Sequence, residues 1–301
     1  MQRRHLLALP LAMPFLSRAA RAQGGVPVVA SFSILGDMVR QIGGGRVSLR
    51  VIAGPDVDAH SFQPRPADAE AVRGARLVVR NGLGFDTWLD RLVRSAGYRG
   101  PVATASEGIT PRALQDNHGH GHSHAQDPHA WQDLRHGQSY VRAIAAALVA
   151  ADPEGAEGYR ARAEAYLARL AALDAWVRQQ IATVPEARRQ VVTSHDAFGY
   201  FANAYGVRFL APQGISTDSE PSAAEVARLI RLLKQQNITA LFLENMANPA
   251  TLRRLAAEAG VTVHGQLYAD ALSRPDGPAP DYEAMFRHNL GLLVPAMKGE
   301  G

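Results

Sequence analysis

The stretch AEGYRARAEAYLARLAALDAWVRQQIAT, residues 156–183, carries one long helical pattern in a chain of 301 residues. Its apolar and aromatic side chains recur every three or four residues, which is the spacing of a single helical face. These side chains are Tyr159, Ala163, Tyr166, Leu167, Leu170, Leu173, Val177 and Ile181. The pattern predicts a helix about 42 Å long, at about 1.5 Å per residue. It is either a surface helix inside one domain or a stiff strut that joins two lobes.

Strand and helix patterns alternate on both sides of this stretch. Before it, strands are predicted at 26–30, 47–52 and 77–79, and helices at 34–42, 67–72 and 85–93. After it, strands are predicted at 190–193, 207–210, 240–243 and 261–263, and helices at 197–204, 223–236, 249–259 and 282–294. The alternation indicates an α/β protein with two lobes, each a mostly parallel sheet flanked by helices, joined by one long rigid helix.

The same patterns divide the chain into segments. We expect an export signal at 1–22, an N-terminal lobe at 23–152, the linking helix at 153–185 and a C-terminal lobe at 186–301. The N-terminal lobe includes a low-complexity loop at 114–127 with a histidine at every second position. These histidines are His118, His120, His122 and His124. Flexible imidazoles without a fixed geometry predict an auxiliary loop that binds metal weakly, and a solvated linker without a role is the alternative.

The positive charge of the chain lies at its N-terminus. The sequence has 32 basic and 28 acidic residues, and residues 1–22 hold four arginines and no acidic residue. The 28 basic residues that remain balance the 28 acidic ones, so nucleic-acid binding, which needs a basic surface, loses most of its support. The sequence contains no Cys, which excludes disulfide scaffolds, zinc–thiolate sites and cysteine nucleophiles.

Residues 1–22 have the three parts of an export signal, namely Arg3-Arg4, an apolar run at 6–16, and small residues on both sides of Arg21. The apolar run is too short to cross a bilayer as a helix. A membrane anchor or a mitochondrial segment is the alternative, and the twin arginine leaves the export route open. Because no Cys follows the run, we expect no lipid anchor there. The mature protein is then expected in a periplasm.

Three histidines and one aspartate are candidate metal ligands. His60 follows the strand at 47–52, His195 stands where the strand at 190–193 ends, and Asp270 follows the last strand. His129 comes directly after Pro128, which stiffens the backbone. Because ligands of open α/β sheets bind at the carboxyl ends of strands, two facing lobes could close on one metal ion. Spacing alone does not prove such a site, since a single histidine there is more often packed or hydrogen-bonded. By position alone, Asp270 is as well explained as a solvated loop carboxylate.

Four motifs occur in order along the chain: DAHSFQP at 58–64, DPHAW at 127–131, VTSHDAFGY at 192–200 and ENMANP at 244–249. With them, the chain resembles, over residues 26–297, the zinc- and manganese-binding substrate-binding proteins of bacterial ABC metal importers, the cluster A-I family with a rigid linking helix. The resemblance implies that His60, His129 and His195 are the first three metal ligands and that Asp270 is the fourth. A His-rich segment before the second ligand is typical of the zinc-importing members.

The resemblance and the ligand chemistry together favour zinc. Manganese-binding members usually have a carboxylate at the third position, where this chain has His195. Three imidazoles and one carboxylate suit tetrahedral Zn²⁺, whereas Mn²⁺ prefers more oxygen. Cu²⁺ and Ni²⁺ stay open, because imidazole sites bind them too. Some zinc members have an acidic residue where this chain has Ala59, which favours Asp270, or a water, as the fourth ligand.

Metal-bound imidazoles need a hydrogen-bond acceptor on the nitrogen that does not face the metal. Four acidic residues stand in or near the motifs and are candidates for this role. They are Asp58, Asp127, Asp196 and Glu244. The sequence does not distinguish among them.

The expected function is high-affinity capture of Zn²⁺ in the periplasm and its delivery to the membrane permease of an ABC transporter. A periplasmic zinc chaperone or buffer that acts without a permease, and a manganese-binding member of the same family, are alternatives. A zinc hydrolase is a further one, although no G-x-S-x-G, P-loop or HExxH motif supports an enzyme. We expect a monomer that works with the permease, with a periplasmic metallochaperone as an optional second partner and without nucleic acid.

Overall fold

The structure is a computed structural model and describes residues 24–112, 126–218 and 220–300. Short segments rich in Val, Leu and Ile form the central strands of a parallel sheet in the N-terminal lobe, as is usual for strands covered on both faces. The strands are β1 Val26–Phe32, β2 Val47–Ala53, β3 Leu77–Arg80 and β4 Val102–Thr104, in the order β2-β1-β3-β4. The connecting helices are α1 Ser33–Gly43, α2 Pro66–Gly74 and α3 Thr87–Ser95.

Two long helices follow the first sheet. Helix α4, Leu134–Ala151, begins with a cap in which the Asp133 carboxylate accepts a hydrogen bond from the Arg135 backbone N–H. Helix α5, Ala156–Ala182, has 27 residues, and its buried side chains are the eight that the sequence pattern predicted. It packs against α1 and α4 and also against the C-terminal helix. The long helix therefore contacts elements from both ends of the chain.

The C-terminal lobe repeats the topology of the first. Its parallel strands are β5 Gln190–Val192, β6 Arg208–Leu210, β7 Leu241–Glu244 and β8 Val263–Leu267, in the order β6-β5-β7-β8. Its helices are α6 Gly199–Tyr205, α7 Ala223–Gln236, α8 Pro249–Ala259 and α9 Tyr282–Lys298. Ser222 and Glu225 start α7 with a reciprocal capping box.

The buried hydrophobic side chains of the described residues form two clusters. The larger runs through both lobes and includes the buried face of α5, with members from Val28 on β1 to Met297 on α9. The smaller lies under α7 and α8; its buried members are Val192, Leu229, Leu233, Ile238, Leu241, Leu252, Leu255 and Ala256. Arg169 on α5 also joins the lobes, because its guanidinium donates to Gln41 on α1 at 2.9 Å and to Glu283 on α9 at 2.8 Å.

The expected α/β architecture, with two lobes and one long helix, is confirmed. Two elements have no counterpart in the sequence-based expectations, namely α4 and β4. The expected export signal at 1–22 and the four histidines at 118–124 lie outside the described residues. Within the described ranges, none of the helices combines the length and the apolar composition that crossing a bilayer requires.

Candidate metal centre

Four loops bring polar side chains to one point between the lobes. His60 follows β2, His129 precedes the short 3₁₀ turn Ala130–Gln132, His195 follows β5, and Asp270 follows β8. One donor atom from each of these residues lies within 4.8 Å of the other three. Across residues 24–112, 126–218 and 220–300, no other group of His, Asp and Glu converges in this way. The structure thus brings together the four residues that the sequence analysis singled out.

The donor atoms are spaced as ligands of one ion would be. Asp270 Oδ2 lies 3.0 Å from His195 Nε2 and 3.1 Å from His60 Nε2, and His129 Nε2 lies 3.3 Å from His60 Nε2. The second carboxylate oxygen, Oδ1, lies 3.6 Å from His129 Nε2. Ligands at about 2.0–2.1 Å from a tetrahedral zinc ion are about 3.3–3.4 Å apart. Small shifts would therefore let the three rings and the carboxylate hold one such ion.

The site opens to solvent on the side of His60. The side chains of His129, His195 and Asp270 are 0% exposed, whereas that of His60 is 5% exposed. His60 lines a groove between the lobes with a volume of about 1140 Å³, and Phe85 lines it from the same lobe. Solvent in this groove therefore meets His60 before the other three donors.

The ring of His129 is oriented by a buried carboxylate. Asp127 Oδ1 lies 2.8 Å from His129 Nδ1 and also accepts the His129 backbone N–H at 3.0 Å. The Arg112 guanidinium donates to Asp127 Oδ2 at 3.2 Å. At Gly199 a Cβ would lie within 2.5 Å of that guanidinium, so glycine leaves room for the cation. These contacts leave Nε2 of His129 facing the other donors.

A second buried carboxylate serves His195. Glu244 ends β7, and its Oε1 accepts the backbone N–H groups of Ser194 at 2.8 Å and His195 at 3.1 Å. Its Oε2 lies 2.5 Å from His195 Nδ1, at the distance of an ion pair but without the angle of a hydrogen bond. The backbone of His195 also pairs with Gln213 in a parallel bridge, which extends the ladder between β5 and β6.

The loop of His60 is held through its backbone. Asp58 accepts the His60 backbone N–H at 2.8 Å and the hydroxyl of Thr217, from the C-terminal lobe, at 2.7 Å. Trp88 Nε1 on α3 donates to the carbonyl of Ala59 at 2.8 Å. Asp58 therefore fixes the course of the loop and does not orient the ring.

The pKa values of the donor side chains depend on the charges of their neighbours in the site. Burial lowers the pKa of His129, but the carboxylates of Asp270 and Asp127 raise it to about 9. Burial also lowers the pKa of His195, and Glu244 and Asp270 raise it well above its ordinary value. Burial raises the pKa of Asp270, but the His129 and His195 rings hold it well below its usual range. The buried carboxylates thus favour a positive charge at the point where the four donors meet.

The structure distinguishes among the acidic residues that the sequence left open. Asp127 and Glu244 each reach an imidazole nitrogen, and Asp58 reaches the backbone of the His60 loop. Asp196 lies next to His195 in sequence, but its side chain lines the groove and its backbone N–H donates to a carbonyl of the loop after β6. Two of the four candidates therefore orient rings.

Two further donors lie directly after His129, at residues that were not among the functional candidates predicted from the sequence. Trp131 Nε1 and Gln132 Nε2 both donate to the carbonyl of Ala269, at 2.9 and 2.8 Å, and Ala269 precedes Asp270. The position of Gln132 could have indicated this role. It stands close to a candidate ligand in an otherwise apolar turn, and a buried amide needs a hydrogen-bond partner.

The chain is similar to known metal-binding proteins over most of its length. Residues 28–296 match the family model described as zinc-uptake complex component A periplasmic, ZnuA. The chain is 34% identical over 270 residues to the manganese-binding lipoprotein MntA of Halalkalibacterium halodurans, covering 90% of this chain and 88% of that protein. It is 31% identical over 267 residues to the iron-binding protein YfeA of Yersinia pestis, covering 89% and 85%.

The fold is similar to solved structures of the same kind. The periplasmic zinc binding protein TroA from Treponema pallidum superposes with a TM-score of 0.85 at 30% identity, covering 91% of this chain and 99% of that one. The Mn-bound periplasmic metal binding protein from Candidatus Liberibacter asiaticus has a TM-score of 0.79 at 28% identity, covering 90% and 98%. Proteins of this family bind substrates for ABC transporters and are not enzymes. The chain therefore belongs to the family of zinc-uptake complex component A periplasmic proteins, ZnuA.

Proposed function

We propose that this chain captures Zn²⁺ outside the cytoplasm and delivers it to the permease of an ABC transporter, with His60, His129, His195 and Asp270 as its ligands. The observation that carries the proposal is the convergence of three imidazoles and one carboxylate at a buried point between two lobes. Four protein donors complete a tetrahedral zinc site and leave no position for a reacting water. The site therefore suits binding and release of the ion, which is what an importer needs.

The donor set supports zinc as the preferred cargo. Three nitrogens and one carboxylate suit tetrahedral Zn²⁺, and Mn²⁺ favours more oxygen. Two observations make manganese the second candidate. Relatives at 34% and 33% identity are named manganese-binding. In addition, both oxygens of Asp270 face imidazoles, so a bidentate carboxylate would supply a fifth donor.

Zinc titration against a competing chelator tests the ligand set. His60→Ala, His129→Ala, His195→Ala and Asp270→Ala each remove one donor. Each should weaken zinc binding by more than the roughly 10–100-fold that loss of an outer-shell partner causes. His264→Ala is the matched control, because this half-buried ring donates from Nε2 to the backbone carbonyl of Thr239 and contacts none of the four candidate ligands. Parent-like affinity in all four ligand variants would contradict the proposal.

The metal that the protein carries in the cell separates the candidates. Affinity alone does not, because zinc binds more tightly than manganese to almost any such site. Native mass spectrometry of protein purified from the periplasm, combined with metal analysis, should show one zinc per chain. One manganese per chain would favour the second candidate, and copper or nickel would contradict both.

We further infer a periplasmic location with residues 1–22 removed, and a monomer that docks to a membrane permease. The family supports the permease, since substrate-binding proteins of ABC importers work with one and with an ATPase. Several relatives are named lipoproteins, whereas this sequence contains no Cys to carry a lipid. Retention of the permease by the tagged protein would distinguish an importer component from a chaperone or buffer that acts alone.

We also propose that His118, His120, His122 and His124, which lie outside the described residues, bind zinc weakly and assist its capture. Glycines between them raise the entropy that any fixed geometry would lose, so their affinity should be low. In a protein without residues 117–125, calorimetry should show the tight zinc site unchanged. Loss of the tight site with this segment would contradict the proposed division of roles.

A further inference from the structure

The carbonyl of Ala269 joins the two ligand-bearing loops across the lobes. It precedes Asp270 and accepts hydrogen bonds from Trp131 Nε1 at 2.9 Å and Gln132 Nε2 at 2.8 Å. Both donors follow His129 within three residues, while 137 positions separate Gln132 from Ala269. A ligand loop of the first lobe is thus bonded to a ligand loop of the second. We call these three residues the Ala269 junction.

The Ala269 junction is shielded from water. Trp131 and Ala269 are 0% exposed and Gln132 is 1% exposed. A carbonyl oxygen accepts two hydrogen bonds when both lone pairs are used, and here two side-chain donors fill them. Because no water reaches this point, an amide that lost its hydrogen-bond partner would stay unpaired, which is energetically costly. The bonds therefore resist separation of the two loops whether or not a metal ion is present.

Both sides of the Ala269 junction have further anchors. On the first-lobe side, the Tyr282 hydroxyl on α9 donates to the Trp131 carbonyl, and Asn81 Nδ2 donates to the Pro128 carbonyl at 3.0 Å. On the other side, the Leu272 backbone N–H donates to Ser33 Oγ at 2.9 Å. Gln132 therefore reaches from a fixed turn to a loop that is also tied beyond Asp270.

The His60 loop meets the C-terminal lobe in wetter surroundings. Besides the contact of His60 Nε2 with Asp270 Oδ2 at 3.1 Å, its side-chain hydrogen bonds there are Asp58 with the Thr217 hydroxyl, which is half-buried, and Asp56 with Asn245 Nδ2, which is exposed. Hydrogen bonds at exposed positions exchange readily with water and contribute little net free energy. His60 is also the ligand candidate that lines the groove. The buried hydrogen bonds of the Ala269 junction thus join the loops of His129 and Asp270, whereas His60 lies on the side that is open to solvent.

We propose that Gln132 is a positioning residue for metal capture. Its amide, together with the Trp131 indole, holds Asp270 against His129 in the metal-free protein, so an arriving ion meets a preset pair of ligands from the two lobes. His60, whose Nε2 lies 3.1 Å from Asp270 Oδ2, completes the set on the side of the groove. The inference rests on the proposed function, because it takes the four residues as ligands. Preorganisation raises affinity because the loops become ordered on folding and not on binding.

Gln132→Met tests the inference, with Zn²⁺ alone as the probe. Methionine keeps the length of the side chain and removes the N–H donor. One net hydrogen bond corresponds to about a three- to tenfold change in an equilibrium constant, so zinc affinity should fall by about that factor. In the metal-free variant, backbone amides of residues 269–271 should also exchange hydrogen faster than in the parent. Saturating zinc should restore their protection, because the ion then holds Asp270.

Gln190→Met is the matched control. Gln190 Nε2 also donates to a backbone carbonyl, that of Ala187, but at an exposed position and at the opposite end of β5 from His195. This variant should bind zinc as the parent does. Gln132→Leu is a second test with a side chain of similar volume. Because leucine has no N–H group to donate to the Ala269 carbonyl, it should weaken zinc binding about as much as Gln132→Met.

Two results would overturn the inference. One is zinc affinity in both Gln132 variants equal to that of Gln190→Met. The other is a lower melting temperature with unchanged zinc affinity and unchanged exchange at 269–271, which would make Gln132 only a core residue. If the parent itself binds no zinc, the proposed function fails instead. The exchange of residues 269–271 in metal-free protein still decides whether Gln132 holds the loop.

Discussion

At the residue scale, two buried carboxylates decide which nitrogen two of the imidazoles present. Asp127 contacts Nδ1 of His129, and Glu244 contacts Nδ1 of His195. A carboxylate on Nδ1 fixes the tautomer that offers Nε2 to a metal and increases the basicity of the ring. Glu244 has a second task, since its other oxygen holds backbone N–H groups of the loop that carries His195.

Glu244→Gln should weaken zinc binding by about 10–100-fold. The amide keeps an oxygen for the backbone N–H groups, so the loop stays folded, but the negative charge beside His195 Nδ1 is lost. Chelator-competition titration measures the change. Glu258→Gln, on the exposed side of α8, is the matched control and should bind like the parent. Equal affinity in the two variants would show that the charge of Glu244 does not support the ligand.

Zinc binding should strengthen as the pH rises through the neutral range. A metal ion binds the neutral imidazole, whereas the pKa of His129 is raised to about 9 and that of His195 is raised well above its ordinary value. At pH 7 the ion therefore displaces about two protons, and apparent affinity should rise by about tenfold per pH unit for each of them. Calorimetry in buffers of different ionisation enthalpy counts the protons, and a count of zero would contradict this account.

The metal-free protein should show the opposite dependence on pH. A raised histidine pKa contributes stability that is complete below about pH 6.5, the unfolded value. This contribution is lost as the pH rises through about 9 for His129. Thermal unfolding of metal-free protein should therefore occur at a lower temperature at pH 9.5 than at pH 6.5. Saturating zinc should remove most of the difference, because the ion replaces the protons.

The convergence of the four candidate ligands was predictable at this scale, and the residues that support them were not. His60, His129, His195 and Asp270 stand in motifs or strand-end positions that are visible in the sequence. The acceptors depend on how each loop turns. Asp127 folds back onto a ring two residues away, whereas Asp196, adjacent to a ligand candidate, faces the groove.

At the scale of elements, a buried carboxylate links the first helix to the last. Asp37 lies inside α1, and its Oδ2 accepts the backbone N–H of Tyr282, the first residue of α9, at 3.1 Å. Burial raises the pKa of Asp37 to about 6. The link therefore joins the N-terminal and C-terminal lobes, but its ionised form is destabilising at neutral pH.

Asp37→Asn should stabilise the protein at neutral pH. An aspartate whose pKa is raised from 3.8 to about 6 contributes fully below about pH 3.8, and this contribution is lost as the pH rises through about 6. The loss at pH 7.5 is at most about 3 kcal/mol. The amide keeps an oxygen for Tyr282, so the thermal midpoint should rise at pH 7.5 and rise less at pH 5. An equal effect at both pH values would contradict the role of ionisation.

Helix α5 was predictable because one polar face leaves its apolar stripe visible. Helix α4 has buried positions at the same spacing, but residues 143–151 read AIAAALVAA and are apolar on every side. Without a polar face the helical period is hard to see. Strand β4 has three residues, one of them the exposed Val102, and is too short to show alternation.

At the scale of the whole molecule, α5, the larger hydrophobic cluster and the Ala269 junction oppose movement of one lobe against the other. The cluster contains side chains of both sheets, and α5 packs against α1 and α9 at once. Wide hinge closure needs residues that absorb backbone rotation, and this arrangement offers few. Metal-linked change should therefore be confined to loops such as that of His60.

Small-angle scattering should show the same radius of gyration before and after zinc is added. The physical reason is that separating the lobes would expose the shared core and break buried hydrogen bonds. A protein with ligand variant Asp270→Ala is the control, because zinc should not change its scattering either. A compaction of several ångströms on zinc binding would show that the lobes close as rigid bodies.

The two lobes were predictable from the alternation of strands and helices, but their common core was not. Helix α9 is the last element of the chain, yet it packs on α1 and α5. Which lobe a helix packs against depends on three-dimensional packing. The periodicity of a single helix shows which face is buried but not which element covers it.

The separation of the two hydrophobic clusters divides the molecule into units of unequal cooperativity. The smaller cluster, under α7 and α8, shares no side chain with the core that spans the lobes. Such a layer can unfold partially at a lower free energy than the whole protein. A protease would then cut within 223–259 while α5 stays intact. Glu244 ends β7, which contributes Leu241 to this layer and Phe242 to the larger core. Partial unfolding of the layer would therefore loosen one side of β7, and with it the hold of Glu244 on His195, without parting the lobes.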